Sequence, residues 1–249
     1  MKGVILAGGT GSRLHPLTKT SNKHLLPVYD KPMVTYPLET LKESGIDEIL
    51  IISGPSHAGQ FLELLGSGYD MGLDITYTIQ EKPLGIAHGI WVATREFARD
   101  EPVAVILGDN IVEDNLKEDI ESFDEGAKIF LKEVEDPSRY GIADVEGDEV
   151  KSVVEKPDDP PSNLAVTGLY IFDGDAYHHS DNVGLSDRGE AEVTTLIERY
   201  IEHKDVEYRT LDGYWYDAGT FEGLYDATSK MREMKLDGEE RCKEIKEHI

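Results

Sequence analysis

The sequence predicts an α/β protein whose largely parallel sheet is flanked by helices, and three observations support this prediction. Short apolar, β-branched runs recur through residues 1–110, helical patterns lie between them, and a glycine-rich turn follows the first run. Strands that alternate with helices are typical of βαβ units, in which neighbouring strands are parallel. The right-handed crossover then brings the carboxyl ends of the strands to one edge, where α/β proteins bind ligands.

The elements of the first half follow one another in that alternating order. Apolar runs predict strands at residues 4–6, 49–52, 75–79 and 103–107. Helices are predicted over residues 34–44 and 57–66, and a third helix has one apolar face made of Ile86, Ile90, Ala93 and Phe97.

The pattern changes after about residue 126. Strands are predicted at residues 127–134, 142–145, 150–154 and 165–172, and turn-forming stretches such as DPSRYG and PDDPPSN separate them. This texture favours an added, partly antiparallel layer. A helical stripe then consists of Val193, Leu196, Ile197, Tyr200 and Ile201, and a last helix carries Phe221, Leu224, Tyr225, Thr228 and Met231. The charged end of the chain fits either a peripheral helix or a frayed terminus.

The composition is strongly acidic, with 50 acidic and 25 basic residues and a formal net charge of −25. Such a charge disfavours binding to nucleic acid through its phosphates. It suits either a protein adapted to high salt, where screening relieves self-repulsion, or an ordinary acidic enzyme. No apolar stretch has the length of a membrane span, the N-terminus does not resemble a signal peptide, and the single cysteine excludes an intrachain disulfide. We expect a cytoplasmic protein.

The stretch LAGGTGSRLHPLT, residues 6–18, directly follows the first predicted strand. It is not a P-loop, because no Gly-Lys-Ser/Thr ends it, and the dinucleotide fingerprint fails because Leu14 stands at its third glycine position. A glycine loop with a bidentate arginine, Arg13, offers free N–H groups and a cation to phosphate. Residues 1–31 hold five basic residues and one acid, which favours phosphate binding over the alternative of a tight turn without a ligand.

This stretch, continued by SNKHLLPVYDKPM, resembles the signature of the sugar-1-phosphate nucleotidyltransferases, and within that family the glucose-1-phosphate thymidylyltransferases. The resemblance covers roughly residues 1–230, in order, through QEKPLGIAHGI, VILGDN, EDPSRYGIADV, VVEKP, NLAVTGLYIFD, DRGEAEVT and YWYDAGT. It implies a Rossmann-like mixed core with a smaller sugar-binding layer. The chain is then one domain, 1–249: residues 1–125 mainly bind the nucleotide, residues 126–235 mainly bind the sugar phosphate, and residues 236–249 form a charged tail. The sequence resembles a short form that lacks the C-terminal regulatory helices of larger members.

The implied reaction joins dTTP and glucose 1-phosphate into dTDP-glucose and pyrophosphate by in-line attack, with Mg²⁺ as the cofactor. UTP is the alternative nucleotide, because thymine and uracil differ by one methyl group, worth about 1 kcal/mol in a pocket. A uridylyltransferase acting on glucose 1-phosphate or N-acetylglucosamine 1-phosphate is therefore the second interpretation. A non-catalytic nucleotide-sugar sensor is a third, disfavoured because the charged residues that handle phosphate are present. We expect a homo-oligomer, with no nucleic-acid or membrane partner.

The resemblance also implies the site residues. Arg13, Lys23 and Asp109 would be catalytic, and Asp109 and Asp217 would hold Mg²⁺. The nucleotide-binding set is Leu6, Gly8, Gly9, Gly11, Arg13, Gln80, Gly85 and Asp109. The sugar-phosphate set is Tyr140, Gly141, Glu155, Lys156, Val166 and Arg188.

For several of these residues a plainer interpretation exists. Asp109 could be an ordinary turn aspartate, and Asp217 could be the N-cap of the helix that follows it. His88 is expected to be structural. The adjacent His178 and His179 are expected to be a surface pair rather than metal ligands, because neighbouring side chains diverge.

Overall fold

The computed structural model describes residues 1–203 and 206–247, and it describes side chains in the last helix as far as residue 237. The strands are β1 Lys2–Ala7, β2 Pro27–Val28, β3 Lys31–Pro32, β4 Glu48–Ser53, β5 Asp74–Ile79, β6 Val103–Leu107, β7 Asn110–Val112, β8 Ala127–Glu133, β9 Gly141–Glu146, β10 Glu149–Glu155, β11 Leu164–Phe172, β12 Val206–Thr210 and β13 Trp215–Asp217. The α-helices are α1 Thr35–Glu43, α2 Ala58–Leu65, α3 Ile86–Glu96, α4 Lys117–Ser122, α5 Ala176–Asp181, α6 Val193–His203 and α7 Phe221–Glu247.

One central sheet contains strands from both halves of the chain. Its order is β12-β8-β11-β6-β1-β4-β5, and β11 alone among these described strands runs antiparallel to its neighbours. The β9–β10 hairpin joins the amino-terminal half of β11 through the pair Ala165 and Ile142. Two short sheets, β2–β3 and β7–β13, lie apart from the central sheet.

The two faces of the central sheet are buried under different helices. Side chains alternate along a strand, so Val4 packs with residues of α3, α5 and α6, whereas Ile5 packs with residues of α1 and α2. Both side chains are fully buried. A third apolar cluster, which includes Ile111 and Ala227, packs α7 against the short sheets. The carboxyl ends of β1, β6 and β5 are thereby held at one edge by a core on each face.

The predicted fold class is confirmed: the sheet is mixed and largely parallel, helices flank it, and a smaller antiparallel part follows residue 126. The short strands β2, β3, β7 and β13 were not predicted, because two or three residues carry no measurable periodicity. Nor does the sequence pattern predict that β8 and β12 extend the central sheet as parallel strands.

Helix α7 continues through the predicted charged tail as far as Glu247. Residues 248–249 of that tail lie outside the described residues. Among the helices that the structure describes, none combines the length and the apolar character needed to cross a bilayer.

Candidate active site

A cleft of about 760 Å³ opens at the carboxyl edge of the parallel strands. Every residue predicted for the site lines this cleft, namely Leu6, Gly8, Gly9, Gly11, Arg13, Lys23, Gln80, Gly85, Asp109, Tyr140, Gly141, Glu155, Lys156, Val166, Arg188 and Asp217. The structure thus brings together residues from both halves of the chain. An α/β sheet is expected to place its ligands at this edge.

The glycine loop leaves β1 and ends in a 3-10 turn, Ser12–Leu14. The Thr18 hydroxyl donates to the Gly11 carbonyl at 2.7 Å, and the Asn22 amide donates to the Ala7 carbonyl at 3.2 Å. These two hydrogen bonds fix the backbone of the glycine loop. The Arg13 side chain remains 61% exposed, and its Nη1 lies 3.8 Å from Oδ2 of Asp217. Arg13 is therefore free to turn toward an anion in the cleft.

Asp109 and Lys23 form an ion pair in which both side chains are largely buried. Burial on its own would raise the pKa of Asp109, but the Lys23 ammonium outweighs burial and holds that pKa below its ordinary value. Asp109 is thus ionised at the floor of the cleft. His24 lies next to the pair, and burial lowers its pKa to about 3, so its ring is neutral.

Asp217 reaches the same place from β13. Its strand pairs with β7 so that Asp217 lies opposite Asn110, and the Ala218 N–H donates to the Asp109 carbonyl at 2.9 Å. The Gly219 N–H donates to Oδ1 of Asp217 at 3.0 Å. Burial and the nearby Asp109 charge raise the pKa of Asp217. The two carboxylates therefore lie close enough to repel each other, and a cation between them would relieve that repulsion.

The donor groups beside Gly219 suit a metal ion. A β-carbon placed on Gly219 would lie 2.6 Å from Oδ2 of Asp109 and 2.9 Å from Oδ1 of Asp217. The glycine thus leaves open a gap bordered by both carboxylates. The described residues contain no group of three or more His, Cys, Asp or Glu side chains that could hold a metal by themselves. Two carboxylates completed by substrate phosphates and water are a donor set that suits Mg²⁺.

Gln80 directly follows β5 and lies beside Gly8 of the glycine loop. Its side chain is buried, with 8% of the residue exposed. Its Nε2 donates to the Gly85 carbonyl at 3.2 Å. Gly85 has a φ of 98°, and a β-carbon there would lie 2.5 Å from the Ala191 carbonyl oxygen. A larger residue would therefore clash with the backbone at position 191. The loop that follows Gln80 is thus fixed against the second half of the chain.

The charged residues of the sugar-phosphate set form one connected group. Oε1 of Glu155 accepts from Nη1 of Arg188 at 2.8 Å and lies 3.2 Å from Nζ of Lys156. Lys156 has a φ of 43°, which turns the chain sharply where β10 ends. The Tyr140 ring lies against the Trp215 ring, with 5.3 Å between centroids. This end of the cleft offers a carboxylate, two cations and aromatic surface.

Several lining residues were not predicted. They include His24, Asn110, Arg139, Tyr170, Glu192, Thr194, Trp215 and Gly219. Asn110 connects three strands, because its Oδ1 accepts from the Gly168 N–H at 3.0 Å and from Trp215 Nε1 at 2.6 Å. Asn110 lies in the motif VILGDN, and Trp215 and Gly219 lie in YWYDAGT. Their proximity in the sequence to Asp109 and Asp217 could have indicated that they belong to the site.

Comparisons with known proteins show which family the chain is similar to. The model of the nucleotidyl transferase family matches residues 2–234. A low-salt glycan biosynthesis nucleotidyltransferase of Haloferax volcanii is 42% identical over 240 residues, covering 94% of this chain and 67% of the relative. A glucose-1-phosphate thymidylyltransferase of Xanthomonas campestris is 41% identical over 243 residues, covering 94% of this chain and 82% of the relative.

Solved structures show the same likeness. A Bacillus anthracis protein assigned as a glucose-1-phosphate thymidylyltransferase, crystallised with sucrose, superposes with a TM-score of 0.88 at 41% identity, covering 93% of this chain and 95% of that one. A UDP-glucose pyrophosphorylase in complex with UDP-glucose gives a TM-score of 0.81 at 27% identity, covering 94% and 98%. The predicted resemblance is confirmed. The chain belongs to the nucleotidyl transferase family, whose members act on sugar 1-phosphates and generally use a divalent metal.

Proposed function

We propose that this protein transfers the thymidylyl group of dTTP to glucose 1-phosphate, releasing pyrophosphate, with Mg²⁺ as its cofactor. One observation supports this most directly. The two cations Arg13 and Lys23 pair with the two carboxylates Asp217 and Asp109, and Gln80 and the charged residues Glu155, Lys156 and Arg188 line the same cleft. Two polyanionic substrates need such a place to approach each other, and the thymidylyltransferase relatives share about 40% of the sequence.

In the reaction, a phosphate oxygen of glucose 1-phosphate attacks the α-phosphorus of dTTP and forms a new P–O bond. The bond from the α-phosphorus to the bridging oxygen of the leaving group breaks, and the electron pair departs with pyrophosphate. The nucleophile is already an anion, so no general base is required. Catalysis then consists of positioning and of stabilising charge, for which Arg13 and Lys23 supply fixed cations.

Asp109 and Asp217 are the residues that would hold Mg²⁺, which when bound supplies charge neutralisation among phosphate oxygens. We assign the nucleotide mainly to residues 1–125 and the sugar phosphate mainly to residues 126–235. Within residues 126–235, the Glu155 carboxylate would accept hydrogen bonds from sugar hydroxyl groups. Lys156 and Arg188 would bind the phosphate of the sugar phosphate. Their present pairing with Glu155 keeps these two cations close to the cleft.

Uridylyl transfer is the second candidate, and the superposition on a UDP-glucose pyrophosphorylase supports it. Thymine and uracil expose the same hydrogen-bonding edge, and their single methyl difference is worth about 1 kcal/mol or a little more in a pocket. Preference between dTTP and UTP therefore has to be measured.

The test is pyrophosphate release over a matrix of nucleoside triphosphates and sugar 1-phosphates, with and without MgCl₂. We expect the highest kcat/KM for dTTP with glucose 1-phosphate and no turnover without a divalent cation. Gly219→Ala, which fills the gap between the carboxylates, should abolish most activity. Gly59→Ala is the matched control, because a β-carbon there meets nothing within 4 Å. A higher kcat/KM for UTP would favour the second candidate, and no turnover in any combination would contradict the enzyme.

A further inference from the structure

The amide of Gln80 has a contact that the proposed mechanism does not use. Its Nε2 lies 2.8 Å from Nδ1 of His88, in addition to 3.2 Å from the Gly85 carbonyl oxygen. A backbone carbonyl can only accept a hydrogen bond, so the amide atom beside it must be the nitrogen. That nitrogen has two hydrogens, and each of them has an acceptor in the protein if Nδ1 of His88 is unprotonated.

The surroundings of His88 favour a neutral ring with a free Nδ1. His88 stands in the first turn of α3, where the helix dipole disfavours a positive charge. Burial and the Arg95 guanidinium also lower the pKa of His88. The ring is tilted against Trp91 with 5.7 Å between centroids, and Trp91 Nε1 donates to Asp181 at 2.8 Å. An anchored aromatic ring thus holds the imidazole in place.

The oxygen of the Gln80 amide is directed to the glycine loop. A β-carbon on Gly8 would lie 2.7 Å from Oε1 of Gln80, and both residues line the cleft. With both nitrogen hydrogens occupied, the oxygen is the amide atom that remains to meet a ligand. The described lining of the cleft includes Gln80 but not His88, so His88 would act through Gln80.

We propose that His88 is a positioning residue that fixes the amide orientation of Gln80, so that Gln80 presents a hydrogen-bond acceptor to the nucleotide base. The inference rests on the proposed function, in which Gln80 belongs to the nucleotide-binding set, and it assigns Gln80 to the base. An acceptor at this point matches the N3–H of thymine or uracil. Cytosine carries a bare N3, so its lone pair would face that of the amide oxygen. His88 thereby contributes to the choice of base without touching it.

The experiment compares wild-type protein with His88→Leu and His88→Asn. Leucine removes the acceptor, whereas asparagine can place an amide oxygen near the position of Nδ1. We expect His88→Leu to raise KM for dTTP by about five- to tenfold, the scale of one lost hydrogen bond, with kcat within about twofold of wild type. The ratio of kcat/KM for dTTP over CTP should fall, and His88→Asn should restore most of both losses. His178→Leu, an exposed histidine of α5, is the control.

Thermal unfolding first establishes that the variants are folded, and calorimetric titration with dTTP and MgCl₂ measures binding separately from turnover. Weaker dTTP binding by His88→Leu that His88→Asn rescues supports the inference. Unchanged KM and affinity in His88→Leu, or equal losses in both variants, overturns it. Wild-type protein that binds dTTP but releases no pyrophosphate contradicts the proposed function, and the binding comparison then decides the role of His88. Wild-type protein that does not bind dTTP contradicts both.

Discussion

Arg13 and Lys23 are both cations beside the glycine loop, but they differ in how much of the fold depends on them. The Arg13 side chain is 61% exposed and lies 3.8 Å from Asp217. Lys23 is largely buried and neutralises an Asp109 carboxylate that is also buried. Removing one partner of a buried ion pair leaves the other charge buried and unpaired, which destabilises the fold. An exposed arginine contributes little to stability.

This contrast predicts different outcomes for two substitutions. Arg13→Ala and Lys23→Met should each lower kcat by about 100-fold or more, because each removes a cation that we assign to the reacting phosphates. Lys23→Met should also lower the free energy of unfolding by about 3 kcal/mol, while Arg13→Ala should leave it unchanged. Urea unfolding and pyrophosphate release measure the two effects, with Lys19→Ala, an exposed lysine of the same segment, as the control. Equal stability in the two variants would contradict the buried-pair interpretation.

The burial of His24 predicts that the stability of the protein depends on pH. Burial lowers its pKa to about 3 from the ordinary 6.5, so the folded protein keeps the ring neutral while the unfolded chain takes up a proton. This contribution to stability is fully present above pH 6.5 and decreases as the pH falls toward 3. Between pH 6 and pH 5 we expect wild-type protein to lose on the order of 1 kcal/mol more than His24→Gln. Parallel curves from urea unfolding at each pH would show that His24 does not titrate in this way.

At the scale of elements, the short β7–β13 sheet positions the carboxylates. Asn110 begins β7 and joins it to β11 and β13, because its Oδ1 accepts from the Gly168 N–H and from Trp215 Nε1. Its Nδ2 lies 3.4 Å from Oδ1 of Asp109. A β-carbon on Gly168 would lie 2.7 Å from the Asn110 amide, so the packing there is close. Asn110 thus supports the strand that carries Asp217 as well as the residue beside it.

Asn110→Ala should therefore affect stability and activity together. The buried Gly168 N–H and the half-buried Trp215 Nε1–H lose their acceptor, which should cost about 2 kcal/mol in the free energy of unfolding. The kcat should also fall, because the strand that carries Asp217 loses this support. Trp215→Phe removes one donor and leaves the acceptor in place, so its loss of stability should be smaller. Urea unfolding and the rate of pyrophosphate release test both variants. A larger loss of stability in Trp215→Phe than in Asn110→Ala would contradict this account.

The longer strands and helices could be predicted from the sequence, whereas the short β7–β13 pair could not. The strands β1, β4, β5 and β6 and the helices α1, α2 and α3 are evident from apolar periodicity, because each has enough residues to show a repeat. The β7–β13 pair has three residues a strand and joins segments more than 100 positions apart. Its pairing arises from tertiary contacts that local pattern does not encode. For this reason the motifs identify Asp109 and Asp217 but do not predict that Gly219 separates them or that Asn110 supports them.

At the scale of the whole molecule, the net charge of −25 should make stability depend on salt. Like charges repel across the folded surface, and raising salt shortens the screening length from about 10 Å at 0.1 M to about 3 Å at 1 M. We predict that the free energy of unfolding rises between 0.1 and 1 M KCl. Denaturation in urea at each concentration measures it. Stability that is constant or falls with KCl would favour the interpretation as an ordinary acidic enzyme over adaptation to high salt.

The residues predicted for the site could be identified from the sequence because they lie in ordered motifs, and the structure brings all of them into one cleft. Other lining residues, such as Asn110 and Trp215, were not predicted. The individual roles of the site residues remain predictions, as do the cytoplasmic location and the homo-oligomeric state. The contact between His88 and Gln80 is the clearest example of what the sequence could not show. The imidazole of His88 lies 2.8 Å from the Gln80 amide because α3 begins directly after Gly85 and packs beside Gln80.

The most direct test of the central claim is a crystal structure of the protein with dTTP and Mn²⁺, in which anomalous scattering locates the metal. We predict an anomalous peak between the carboxylates of Asp109 and Asp217, with the triphosphate lying along the glycine loop and within reach of Arg13. A metal bound away from these carboxylates, or a triphosphate outside the glycine loop, would contradict the account.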